Sequence, residues 1–94
     1  MDSTNISTMN RIERLVEQLR AAPQNVRFRE LAQVCEHYFG KPRQLGTSHQ
    51  VYKTPWPGDP RVNIQAARGK AKTYQVRQVL RAIARLEVEH HGRK

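Results

Sequence analysis

The residues with the clearest chemical potential lie in the stretch 46–53, which reads Gly-Thr-Ser-His-Gln-Val-Tyr-Lys. His49 comes directly after the Ser48 hydroxyl and just beyond a glycine turn. A histidine side chain titrates near neutral pH, so it can accept a proton in one step of a reaction and return it in another. His49 is therefore the candidate general acid and base of this chain.

A histidine of this kind suits the cleavage of RNA, because RNA carries its own nucleophile, the 2′-hydroxyl beside each phosphodiester. Such an enzyme needs a base, cations for the charge that develops on the phosphoryl group, and donors that orient it, but no metal or other cofactor. His49 could be the base, and Lys53, which has the same strand parity, could be a cation. Backbone and hydroxyl donors would come from Gly46, Thr47 and Ser48.

The positive charge of the chain is concentrated around this stretch. The formal net charge is +9, and residues 41–85 contain ten Lys or Arg residues and a single acid, Asp59. The rest of the chain contains seven basic and seven acidic residues and is therefore neutral. This asymmetry predicts a polyanionic partner. The candidate contacts with the RNA backbone are Arg43, Lys53, Arg61, Lys70 and Lys72.

Two further features favour a nucleic acid. Lys70 and Lys72 come just before the last predicted helix, and the N–H groups at a helix start attract phosphate. Tyr52 and Trp56 offer flat rings on which bases could stack. Trp56 stands between two prolines in a loop, so we expect it outside the core, whereas Tyr52 could belong to the core.

Length and composition indicate one small cytoplasmic domain. Ninety-four residues suit a single domain, with an N-terminal helix in residues 1–25, a core in 26–85 and a helix end with a tail in 86–94. Cys35 is the only cysteine, which fits a reducing compartment. No apolar run approaches membrane-spanning length, so we expect no membrane partner. His90 and His91 lack a third ligand in register and do not predict a metal site.

The spacing of apolar residues predicts the element order α-α-β-β-β-α. We expect helices over about 8–21, over 28–39 and from 73 onward, and strands within 41–45, 48–54 and 61–66. Asn10 and Glu13 have the spacing of a capping box. These elements predict an α+β fold, a three-stranded antiparallel sheet with helices on one face and the other face or a rim open to a ligand. The parity of the second strand does not decide which face carries His49.

With these elements in place, residues 26–85 resemble the HicA family of small toxins. The resemblance rests on Gly46-x-Ser48-His49, on Val51-Tyr52-Lys53, and on residues 69–80, Gly-Lys-Ala-Lys-Thr-Tyr-Gln-Val-Arg-Gln-Val-Leu. It implies a fold like that of double-stranded-RNA-binding domains, an mRNA interferase activity that depends on His49, and a HicB-type antitoxin that covers the active site. The extra N-terminal helix, Thr47 within the motif and the long proline-rich loop depart from the family. They affect the expected substrate preference and antitoxin contact more than the chemistry.

Two other classes of function use the same residues. A non-catalytic RNA- or DNA-binding module, of the double-stranded-RNA-binding type, would bind in a salt-sensitive way and leave its nucleic acid intact. A protein-interaction domain would dock an acidic partner, and nucleic acid would not compete. Even for the ribonuclease the general acid is open: His49 could serve both steps, or a neighbouring group or water could serve one. A histidine at a strand start can also be purely structural.

Overall fold

The computed structural model describes residues 9–44 and 49–91, which form helices packed on one face of an antiparallel sheet. The sheet has the strand order β1-β2-β3-β4, with every neighbouring pair antiparallel. The elements in chain order are α1 (Arg11–Ala21), α2 (Phe28–Phe39), β1 (Arg43–Gln44), β2 (His49–Tyr52), β3 (Val62–Ala67), β4 (Lys70–Ala71) and α3 (Thr73–His91).

The predicted α+β class and element order are confirmed, with one addition. Strands β1 to β3, which lie between α2 and α3 in chain order, form the predicted three-stranded antiparallel arrangement. The two-residue strand β4 forms between the third predicted strand and the last predicted helix, where the sequence pattern predicts no strand. Arg68 and Gly69 join β3 to β4 with φ angles of 55° and 79°. Positive φ at both central residues is the geometry of the tight turns that suit two-residue hairpins.

The linker between α1 and α2 runs beside β4 and extends the sheet at that edge. The Ala71 N–H donates to the Val26 carbonyl at 2.9 Å. Arg27 forms an isolated antiparallel bridge with Lys70. The sheet therefore reaches one residue beyond β4, and the N-terminal part of the chain is tied to its C-terminal part.

The N-terminal helix α1 belongs to the same packed unit. It begins with the predicted capping box: the Asn10 side chain accepts from the Glu13 N–H at 2.8 Å, and the Glu13 carboxylate accepts from the Asn10 N–H at 3.1 Å. Leu15, Val16 and Leu19 are buried, and the helix packs against α2 and α3. The helix is thus an added layer on the helical side of the domain.

The hydrophobic core lies between the sheet and the helices. Along β3 the side chains alternate, with Val62 and Ile64 buried and Asn63 exposed, so one sheet face is covered and the other is open. Tyr52 of β2 joins the covered face. The helices contribute the buried side chains Leu31, Val34, Cys35, Val76, Val79, Ala82 and Ile83.

Trp56 belongs to this core, so the expectation that it lies outside is wrong. Its side chain is only 6% exposed. The indole Nε1 donates to the Pro60 carbonyl at 3.0 Å, and the Arg85 guanidinium lies 4.6 Å from the ring centroid. Arg85 also donates to the Asp59 carbonyl at 3.1 Å, which holds the proline-rich loop against α3. A ring packed in this way is not available as a stacking surface for an RNA base.

The Cys35 thiol should be protected from alkylation as long as the domain is folded. Cys35 is fully buried, and this burial raises the pKa of its thiol from 9.0 to about 12. The reactive thiolate is therefore suppressed in the folded state. Iodoacetamide at pH 8 should leave the native protein unmodified over a time in which it alkylates the urea-unfolded chain completely, as followed by mass spectrometry.

The raised pKa of the Cys35 thiol also determines how the stability of the fold depends on pH. Because the folded-state pKa is raised, the thiol's contribution to stability is complete below pH 9.0 and is lost as the pH rises towards about 12. Urea unfolding at pH 8 and pH 11 should show this loss in the wild type and a smaller loss in Cys35→Val. Rapid stoichiometric alkylation without urea would contradict the buried position of the thiol.

Candidate active site on the open sheet face

The register of β2 and β3 places His49 on the open face of the sheet. Directly opposed residues of an antiparallel pair point to the same side. His49 pairs with Gln65, whereas Tyr52 pairs with Val62 on the covered side. His49 is three residues from Tyr52 and therefore has the opposite parity. The imidazole is half-buried, and it lies away from the hydrophobic core.

His49, Gln65 and Lys72 form a row across the strands, which we call the middle row. Gln65 lies opposite His49. The β3–β4 pairing of Ala66 with Ala71, continued by one step, brings Lys72 beside Gln65 on its other side. The Lys72 Nζ donates to the Gln65 Oε1 at 3.1 Å. An ammonium group is therefore held one side chain away from the imidazole.

Cations flank the middle row on both sides. Two residues along the strands in one direction, the neighbouring row contains Arg43, Val51 and Asn63. Two residues in the other direction, the neighbouring row contains Ala67, Lys70 and Arg27. None of these three rows contains an acidic residue. The Glu30 carboxylate, in the first turn of α2, accepts the Arg27 N–H at 3.4 Å at the outer edge of the last row, and Asp59 lies in the loop beside α3. A polyanion that follows the middle row and the row of Arg43 would therefore meet no acidic residue among the described members of these two rows.

The predicted site residues fall into three groups. His49, Arg43, Lys70 and Lys72 share the open face. Lys53 and Arg61 are exposed, and each lies one residue beyond the last β2–β3 pair, Tyr52 with Val62. Of the remaining predicted residues, Gly46, Thr47 and Ser48 lie outside the described residues, and Trp56 is buried on the helical side and does not join the site.

A shallow depression at the β1 edge of the face has Arg43 and two further cationic side chains around it. Lys41, Arg43 and Lys53 stand around it, and Pro42 and Val51 supply apolar surface. Cations next to apolar surface suit a single-stranded nucleotide, because the phosphates bind the charges and a base can pack on the apolar atoms. The depression lies one row away from His49.

Comparison with known proteins adds no family to this description. No family model, curated protein or solved structure matches the chain. The HicA resemblance therefore remains an expectation that rests on the motif residues.

Two glutamines that the sequence analysis did not single out are part of this site. Gln75, at the start of α3, is only 5% exposed, and its Oε1 accepts the Gln65 N–H at 2.9 Å. Its Nε2 lies 3.4 Å from the Tyr74 hydroxyl. A polar residue on the otherwise apolar stripe of Val79 and Leu86 was the available signal for Gln75. Gln65 could be recognised only once the register with His49 was known.

The described residues contain neither a metal-binding cluster nor a helix that could cross a membrane. No group of three or more His, Cys, Asp or Glu residues in ranges 9–44 and 49–91 is arranged to hold a metal ion. The side chains of His90 and His91 are not among those described. In the same part of the chain, no helix combines the length and apolar character needed to cross a bilayer.

Proposed function

We propose that this chain is an endoribonuclease that cleaves mRNA in the cytoplasm without a metal ion, as the toxin of a toxin–antitoxin pair. The observation that carries the proposal is the position of His49 on the open sheet face, in one row with Lys72 and between neighbouring rows that contain Arg43 and Lys70. A titratable imidazole with cations on either side meets the requirements for RNA transesterification.

In the proposed reaction His49 accepts the proton of a 2′-hydroxyl while that oxygen forms a bond to the adjacent phosphorus. The bond between phosphorus and the 5′-oxygen then breaks, which gives a 2′,3′-cyclic phosphate and a 5′-hydroxyl end. The departing oxygen takes up one proton, either from the His49 imidazolium or from a neighbouring group or water. The cations of the face stabilise the negative charge that grows on the non-bridging oxygens.

The row geometry suits an extended single strand of RNA. Successive rows are two residues apart along a strand, or about 7 Å, which is close to the separation of consecutive phosphates in an extended polynucleotide. A phosphate at the middle row would thus have neighbours beside Lys70 on one side and beside Arg43 on the other. The depression between Lys41 and Lys53 would receive the nucleotide beyond Arg43.

The direct test is to incubate the purified protein with a defined transcript in the presence of excess chelator. We expect cleavage at the same rate with and without chelator, and 2′,3′-cyclic phosphate ends on the products. A transcript with a single 2′-deoxy substitution at a mapped cleavage site should be resistant at that site only. Cleavage that requires a divalent ion, or that proceeds at the 2′-deoxy linkage, would contradict the mechanism.

The second candidate function is a non-catalytic RNA-binding module. It is favoured by the same cationic face, which would bind a phosphate backbone whether or not His49 reacts. In that case RNA would bind tightly at low salt, dissociate at high salt and stay intact after long incubation. The transcript experiment therefore separates the two functions.

The face also suits an acidic protein partner. In the toxin proposal this partner is a HicB-type antitoxin whose carboxylates contact Arg43, Lys70 and Lys72 and cover His49. RNA and antitoxin would then compete for one surface. Binding of an acidic protein with no competition from RNA would instead indicate a protein-interaction domain.

A further inference from the structure

We infer that Lys72 supplies the positive charge at the scissile phosphate and that Gln65 and Gln75 are positioning residues that hold Lys72 beside His49. This inference rests on the proposed ribonuclease function and assigns parts to three residues within it. The sequence motif directs attention instead to Lys53, the cation that follows His49 on the same strand.

The three residues form a closed ring of hydrogen bonds. The Lys72 ammonium donates to the Gln65 side chain at 3.1 Å, and the Gln65 N–H donates to the Gln75 side chain at 2.9 Å. The Gln75 N–H in turn donates to the Lys72 carbonyl at 3.0 Å. The ring fixes strand β3, the residue before α3 and the first turn of α3 relative to one another.

The burial of Gln75 makes this ring of hydrogen bonds rigid. Gln75 is only 5% exposed, and a buried amide is costly unless its polar atoms are bonded, so its side chain has little freedom to leave Gln65. Lys72 is half-buried, whereas Lys53 and Lys70 are exposed. A cation that is already in place stabilises developing charge better than one that must first be ordered.

Distance also favours Lys72 over Lys53. Lys53 is four residues from His49 along the chain, which is about 13 Å in an extended strand. Lys72 lies in the row of His49, and its Nζ already contacts Gln65, the residue directly opposite His49. Opposed side chains have Cβ atoms about 5 Å apart. A phosphate bound over Gln65 can therefore contact both the imidazole and the Lys72 ammonium.

In the reaction Lys72 keeps its proton. As the 2′-oxygen bonds to phosphorus, a non-bridging oxygen gains negative charge and accepts a hydrogen bond from the Lys72 Nζ. The only proton that leaves the substrate goes from the 2′-hydroxyl to His49. Lys72 therefore acts on the transition state, and its removal should lower kcat more than it weakens RNA binding.

The test is single-turnover and steady-state cleavage by Lys72→Ala, Lys72→Arg, Lys53→Ala and Gln65→Glu. Lys72→Ala should lower kcat about 10²- to 10³-fold, the usual loss for one preorganised transition-state donor, and Lys72→Arg should recover at least tenfold of that loss. Gln65→Glu places a carboxylate beside the ammonium and should lower kcat as well, although the residue lies outside the core. Lys53→Ala should chiefly raise KM.

A phosphorothioate at the cleaved linkage provides a second readout that a structural role would not change. The wild type should discriminate between the two sulfur diastereomers, and Lys72→Ala should lose most of that discrimination because the contacting ammonium is gone. Arg11→Ala, which removes a positive charge from exposed α1, is the matched control and should cleave at the wild-type rate. Circular dichroism shows which variants are folded.

The outcomes separate this inference from the proposed function. If the wild type cleaves, His49→Ala does not, and Lys72→Ala keeps its kcat within about twofold with normal diastereomer discrimination, the role of Lys72 is refuted while the ribonuclease stands. If the wild type does not cleave RNA at all, both fail. Because Gln75→Leu could unfold the protein, Gln65→Ala on the open face decides the positioning role, since it removes the acceptor of the Lys72 ammonium without adding a charge. It should lower kcat and weaken the diastereomer discrimination, and a wild-type kcat in this variant would refute the positioning role.

Discussion

Replacing His49 with alanine is expected to lower the rate of RNA cleavage about 10²- to 10⁴-fold, the range for losing one general acid–base catalyst. The fold should survive, because the imidazole lies on the open face and its loss leaves no cavity in the hydrophobic core. RNA affinity should change little, because Arg43, Lys70 and Lys72 remain. Single-turnover cleavage and filter binding of the same transcript at one salt concentration measure both quantities.

His37→Ala is the matched control for that variant. His37 is an exposed histidine on α2, whose ring meets the Tyr38 ring edge-on at 5.0 Å between centroids. It should cleave like the wild type. The loss of cleavage in His49→Ala prepared in the same way excludes a contaminating ribonuclease as the source of activity. A His49→Ala protein that cleaves at the wild-type rate would end the proposal that this imidazole is catalytic.

Trp56→Ala should have the largest effect on stability, a loss of about 3–5 kcal/mol in the free energy of unfolding. The substitution removes a ring that is 6% exposed, the hydrogen bond from that ring to the Pro60 carbonyl, and the contact between the ring and the Arg85 guanidinium. It also releases the proline-rich loop from α3. A domain of this size has little stability in reserve, so a large unfolded fraction at 25 °C is expected. Urea denaturation followed by circular dichroism measures the change.

Val88→Ala is the control, because it truncates a hydrophobic side chain that is exposed to solvent. Val88 is 69% exposed near the end of α3, and its truncation should change the stability by less than about 0.5 kcal/mol. Trp56→Ala, kept folded at low temperature, should bind RNA as the wild type does. If it proved as stable as the wild type but bound RNA weakly, the ring would be a base-stacking surface and not a core residue.

The regular elements could be predicted from the sequence because their signals are local. The apolar stripe Leu15, Val16 and Leu19, preceded by the Asn10 capping box, sets the first helix. Gly40 ends the second helix with a φ of 88°, which favours glycine. The alternation of Val62 and Ile64 with polar residues gives the third strand and its covered face. Each of these patterns lies within a few residues of the element that it determines.

The features that depend on distant contacts could not be read in this way. Trp56 looks exposed between two prolines, and only the arrival of Arg85 from α3 turns its loop into part of the core. The sheet face that carries His49 is determined by its pairing with Gln65. The strand pattern alone does not determine it, because Val51 and Lys53 have the same parity as His49 and favour opposite faces. The role of Gln75 depends on a bond to a strand ten residues earlier. Apart from a polar residue at position 75 on the apolar stripe of α3, the local sequence pattern contains no signal for these contacts.

The middle row is assembled from three separate stretches of chain, the start of β2, the middle of β3 and the residue before α3. A nascent polypeptide that has not yet been extended past Lys72 therefore carries an imidazole without its ammonium neighbour. Under the proposed function, prematurely terminated translation products would be poor nucleases. A ribosome that makes this protein would have to translate past Lys72 before a competent enzyme could attack the message being read.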